Sequence, residues 1–179
     1  SEAEKVIKEL RDIVKRNDEV VKEIIRRLEE LVKEHKRLVE EIIKRLRELL
    51  KRIEEVVRRD GPSEDKVEKV ERDIERLLEE LERHSRRVEE ELKRLLEELE
   101  KHARESKREI KEREDKINVT SEDLKRLKDV LDEVIKKTDE LLREVERKAR
   151  EVTKRLRDLD RRVKEVADEV RRRIREATK

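Results

Sequence analysis

Three histidines are the residues in this sequence best suited to do chemistry. His35 stands in RLEELVKEHKRLVEEI, residues 27–42, at a position where the apolar pattern calls for Leu or Ile. His84 and His102 are 18 residues apart, with Ser85 and Ser106 close by in sequence. An imidazole can serve as a base, a metal ligand, a proton sensor or a buried hydrogen-bonding group. A hydroxyl beside an imidazole can serve as a nucleophile.

The rest of the inventory argues against reactive uses. There is no Cys, no HExxH pair and no Gly-rich phosphate loop. A di-iron bundle needs Glu three residues before His, and here those positions hold Val32, Leu81 and Leu99. On one helix His84 and His102 would lie about 27 Å apart and could not share an ion. His35 with His84 offers two nitrogens, and Glu80 lies one turn before His84, which is a weak metal signal. Serine–histidine proximity without an oxyanion hole or a pocket does not make a site. The expectation is no catalytic residue, no cofactor, no metal and no small-molecule substrate.

The elements that would position these side chains are long helices. The one Gly and the one Pro are adjacent, in RRDGPSEDKV (58–67). Gly61 can take the left-handed position after a helix, and Pro62 blocks its continuation. Ser63 is a candidate N-cap, with Glu64 and Asp65 facing the next helix dipole. The second break is KINVTSEDLKRL (116–127). Thr120 can cap the third helix with Asp123 in the capping-box place, and Val119 and Leu124 hold the staple positions. Asn118-Val119-Thr120 formally matches a glycosylation sequon, read here as turn and cap chemistry. Helices are expected at about 2–59, 63–116 and 121–178, each roughly 80–87 Å long. Short turns make neighbours antiparallel. The fold class is all-α, an antiparallel up-down-up bundle of three long, nearly straight helices forming one domain over 1–179.

Straightness follows from the repeat. Apolar residues recur at 18: Val6, Ile24 and Ile42; Leu10, Leu28 and Leu46; Val14, Val32 and Leu50. The second helix repeats Ile74, Leu92 and Ile110, and the third repeats Leu127, Val145 and Val163. Eighteen residues make five turns of 3.6, so the stripe runs along the axis without the drift that drives supercoiling. The stripes of the second and third helices span roughly 100°. That of the first is wider, roughly 140°, with Ile7, Ile25 and Ile43 at one edge and Val20, Leu38 and Val56 at the other. Either the first helix sits deepest in its own bundle, or this face takes a further helical partner.

Polar residues interrupt the stripes at matching heights. Asn17 occupies the His35 slot 18 residues earlier, and Ile53 occupies it 18 residues later. Aligning the helices about symmetric turns puts His35 level with His84, Ser85 and Thr153. It puts Asn17 level with His102 and Ser106, with Thr138 about one turn away. Buried polar groups without partners cost about 1–3 kcal/mol each, so such layers can select register and helix pairing. For His84 and His102 the competing reading is a half-exposed place at the core boundary. Protonating a core His35 below about pH 5 is expected to break its contacts and loosen the bundle.

Composition narrows the partners. Charged residues make up 59% of the 179 residues, with a net charge of only +2. No aromatic side chain can stack on a base, so no nucleic-acid partner is expected. No long apolar run crosses a membrane and no leader is visible. The expectation is a soluble chain.

The 18-residue layering, the GPSED loop, the aliphatic core and the His/Asn/Ser/Thr layers together resemble de novo designed helical bundles with buried hydrogen-bond networks. The resemblance covers the whole chain. It implies a structural scaffold, or one half of a homo- or hetero-oligomer, with no catalytic residue and no natural ligand. It also implies no natural compartment and production as a synthetic protein in a bacterial cytoplasm. Natural three-helix proteins of spectrin or membrane-curving type are similar in outline, but their cores normally carry aromatic residues.

Overall fold

In the computed structural model of the chain, residues 2–117 and 120–179 are described. They form three helices, α1 (Glu2–Asp60), α2 (Glu64–Asp115) and α3 (Ser121–Ala177). The bounds match those read from cap and breaker residues to within a residue. Asn118 and Val119, which carry the sequon and one half of the staple, lie outside the described residues.

The break after α1 follows from backbone chemistry. Gly61 adopts φ +80°, and its N–H donates to the Val57 carbonyl at 2.9 Å. That single bond closes the helix end in the left-handed capping motif. The alternative two-bond motif needs an N–H on the next residue, which Pro62 lacks. The Ser63 carbonyl then accepts from Val67 N–H at 3.1 Å and starts α2. At α3, the Thr120 carbonyl accepts from Leu124 N–H at 2.9 Å. The Thr120 hydroxyl donates to the Asp123 carboxylate at 3.2 Å, so the two capping-box side chains bond each other directly.

The chain divides into two compact units, each holding a stretch of all three helices. The first comprises residues 1–29 and 91–151. Here Glu9 pairs with Arg113, Arg16 with Glu109 and Arg27 with Glu98, so α1 and α2 run antiparallel. Its core joins Ile7, Leu10 and Ile13 of α1 to Ile110 of α2 and to Leu127, Leu131 and Val134 of α3. The second comprises residues 30–90 and 152–179. Here His35 meets Asp160 and Glu54 meets Arg173, so α3 runs parallel to α1. Its core joins Ile42, Leu46 and Ile53 to Ile74 and Leu81 and to Val163, Val170 and Ile174.

The 18-residue repeat marks the buried stripe: Leu10, Leu28 and Leu46 are all fully buried, as are Leu127, Val145 and Val163. Along the wide edges of α1, Ile7 and Ile43 are buried in the cores of their units. Val20, Ile25, Leu38 and Val56 are half-buried. Among the described residues, no helix is long and apolar enough to cross a membrane.

Candidate functional site

The second unit brings His35, His84 and Ser85 together, and adds a residue that the polar-layer reading missed. His35 on α1 is fully buried. Its Nε2 lies 2.6 Å from Asp160 Oδ1 on α3, and its Nδ1 lies 2.8 Å from His84 Nδ1 on α2. Ser85 Oγ donates to the other oxygen, Asp160 Oδ2, at 2.9 Å. One imidazole therefore touches both other helices, and one carboxylate holds the serine and the histidine.

The ring geometry fixes the nature of the histidine pair. The planes differ by 13° and the centroids are 5.1 Å apart. That separation is the N···N distance plus about one ring radius on each side, so the rings meet edge to edge rather than face to face. A near-coplanar edge contact at this distance is a hydrogen bond. A carboxylate only accepts, so His35 Nε2 carries the proton given to Asp160. In the neutral pair His35 Nδ1 is then a bare acceptor, and His84 Nδ1–H is its donor. The tautomers follow from the partners.

His84 is half-buried. Burial holds its pKa below the ordinary 6.5, and the neighbouring His35 and Arg87 lower it further, against opposing pulls from Glu34 and Asp160. Burial penalises the charged imidazole directly.

Asp160 stands where symmetric alignment puts Thr153. It lies seven residues on, about two turns or roughly 10 Å along α3. The pairing of Glu71 with Arg171 in the same unit is offset in the same direction, by about five residues. Within this unit α3 is thus displaced along its axis relative to α2 from the symmetric alignment. Thr153 itself is half-buried on α3. A signal for Asp160 existed. At 100° per residue it projects about 20° from Thr153 and 20° from Ala167, and Ala167 is buried. In sequence an acidic residue inside the arc looks exposed, because charged residues mostly occupy exposed faces.

In the first unit Asn17, Ser106 and Thr138 are buried. Ser106 Oγ donates to Asn17 Oδ1 at 2.8 Å. Thr138 Oγ1 turns back to the Val134 carbonyl of its own helix at 2.9 Å. Asn17 Nδ2 and His102 Nε2 are buried with no hydrogen-bond partner. His102 is half-buried as a residue, so its ring sits at the boundary with that nitrogen inward. The two clusters differ in kind: one is a chain of bonds across three helices, the other a single bond between helices with two orphaned atoms.

No group of three or more His, Cys, Asp or Glu side chains is placed to hold a metal ion among the described residues. The Ser85 proton is committed to Asp160, so no imidazole stands ready to accept it.

No protein-family model matches the chain, and no curated protein matches it. A solved structure described as "Computationally designed three helix bundle" is similar at 24% identity, over 99% of this chain and 87% of that chain, with a TM-score of 0.49.

Proposed function

We propose that the chain is a structural helical-bundle module, a designed scaffold of the kind its sequence resembles, with no catalytic turnover. Its buried polar clusters select the pairing and register of the helices. The observation that carries this reading is His35, fully buried and bonded to both other helices. Sliding α3 by one turn, about 5.4 Å, removes Asp160 from reach. It leaves a buried N–H without an acceptor, at a cost of about 1–3 kcal/mol. An all-aliphatic stripe imposes no comparable penalty, because Leu, Ile and Val exchange partners readily.

The test is His35→Leu. Asp160 keeps 27% of its side chain exposed and His84 is half-buried, so both regain water when the imidazole goes. Thermal stability is therefore expected to change by less than about 1.5 kcal/mol. Register is expected to suffer instead, giving more than one set of amide signals in a two-dimensional NMR spectrum. A single set of sharp signals matching the parent pattern rules the reading out.

A second reading is an interaction module, half of an oligomer whose α1 face binds another helix. It rests on Val20, Ile25, Leu38 and Val56, which the chain's own helices cover only in part.

A further inference from the structure

Two grooves between helices differ in size and in charge. In the second unit a groove of about 470 Å3 runs between α1 and α2, from Arg45 to Arg52 on one side and from Asp73 to Arg83 on the other. Its rim carries four arginines and four carboxylates, so the charges cancel. In the first unit a groove of about 630 Å3 runs between α1 and α3. Its floor is Val14, Val130 and Val134. Val130 and Val134 belong to the core of that unit and Val14 packs against it, so the floor is apolar and held in place.

The rim of the α1/α3 groove does not balance. Four cations stand on it, Arg11 and Lys15 on α1 and Lys136 and Lys137 on α3. Of its carboxylates, Asp18 is bonded to Lys22 at 2.9 Å, and Lys22 stands outside the groove. Glu133 and Glu140 are left against the four cations. Arg11 and Lys15 are also four residues apart on one wall. Like charges at that spacing repel, and an anion placed between them relieves the repulsion.

Size sets the class of occupant. A three-turn helix about 10 Å across and about 16 Å long takes roughly 1,250 Å3, twice the groove. A volume of about 300–1,000 Å3 suits a small molecule. From Val130 to Glu140 the groove is about 15 Å long at 1.5 Å per residue. An extended ten-carbon chain covers about 11 Å at roughly 1.2 Å per bond. We infer that the α1/α3 groove of the first unit binds an amphiphilic anion, a medium-length alkyl chain with one charged head group.

The chain lies along the three valines and the head group meets Arg11 and Lys15. Apolar burial holds the chain, and the excess of cations selects the sign of the head. The ligand is bound and not turned over. No residue of the His35 cluster lines this groove, so the register reading and this inference fail separately.

The probe is sodium decyl sulfate below its micelle concentration, titrated into the full chain and followed by the backbone amides in two-dimensional NMR. Circular dichroism confirms that the helices persist. Signals of residues 11–18 and 130–140 are expected to shift and saturate, with a Kd on the order of 1 mM. Decyltrimethylammonium has the same chain and the opposite head, and is expected to bind at least about tenfold more weakly. Inorganic sulfate alone is expected to give no saturable shift in the groove. Lys15 and Lys137 are exposed, so Lys15→Glu combined with Lys137→Glu keeps the fold. That double variant is expected to weaken decyl sulfate binding at least about tenfold, while Arg52→Glu in the other groove leaves it unchanged. Four results overturn the inference: no saturable shift at the groove, equal affinity for the two amphiphiles, undiminished binding in the double variant, or shifts centred on the α1/α2 groove. Loss of helix at the concentrations that move the groove signals overturns it as well. The comparison of the two amphiphiles uses the parent protein, so it stands even where a variant fails to fold.

Discussion

Between His35 and His84 the two facing Nδ1 atoms, 2.8 Å apart, have room for one hydrogen. The neutral pair supplies it, and so does a pair carrying one extra proton, because either ring can then donate to the other. Two extra protons set two N–H groups and two cations against each other. The expected pH dependence of stability is carried by His84. The sign follows from His84, whose folded pKa is depressed by burial, then by His35 and Arg87. The unfolded state binds more protons in this range, so stability is full above the ordinary value of 6.5. It falls as pH drops through 6.5 and levels off below the folded pKa. Urea midpoints between pH 7.5 and pH 5 are expected to decline for the parent and to flatten in His84→Leu. A parent midpoint that holds constant across that window contradicts this assignment.

Asn17 poses a different residue-scale question. Its amide Nδ2 is buried without a partner, in a slot that holds Ile53 elsewhere in the repeat. Asn17→Val exchanges the orphaned amide for apolar contact at similar volume. Ser106 can turn its hydroxyl to the carbonyl one turn back, as Thr138 does. The substitution is expected to stabilise the protein by about 1–2 kcal/mol, read from denaturant unfolding. A loss of stability shows that the Ser106–Asn17 bond outweighs the orphaned atom.

On the scale of elements, helix ends were legible because they depend on nearest neighbours. Gly61, Pro62 and Ser63 each act through their own backbone geometry, and Thr120 and Asp123 through a three-residue spacing. Gly61 is held at φ +80°, and an added Cβ meets nothing within 4 Å. The cost of Gly61→Ala is thus purely conformational, about 1–2 kcal/mol, visible as a lowered urea midpoint with an unchanged slope. No change means that α1 ends as well without the left-handed residue. The axial offset of α3 was not legible. Symmetric turns predicted Thr153 opposite Ser85, and in the second unit Asp160 stands there instead. An offset along parallel cylinders is set by packing and loop path, neither of which a periodic sequence encodes.

For the molecule as a whole, the open matter is association. Among the described residues the exposed large hydrophobics are Leu124 and Ile135, and the wide α1 stripe is buried or half-buried throughout. Under the scaffold reading, sedimentation equilibrium is expected to give the monomer mass of 21.9 kDa at every concentration. A mass that rises with concentration, and returns to that of the monomer on Val20→Lys or Leu38→Lys, moves the chain to the interaction reading.

The sequence by itself determined the three helices, their ends, their alternating directions and the stripe each one buries. Those properties are local or periodic: a cap acts within a turn, and an 18-residue repeat projects onto one face whatever lies opposite. It also singled out His35, because a polar residue inside an apolar arc must find a partner. Only the tertiary structure decided who that partner is. Asp160 belongs to a helix 125 positions away in sequence, and its height beside His35 depends on how far α3 slides before its side chains interlock with those of α1 and α2. That displacement is a property of three surfaces at once. It turned a layer of hydroxyls and imidazoles, as read from levels, into a carboxylate-anchored chain of hydrogen bonds.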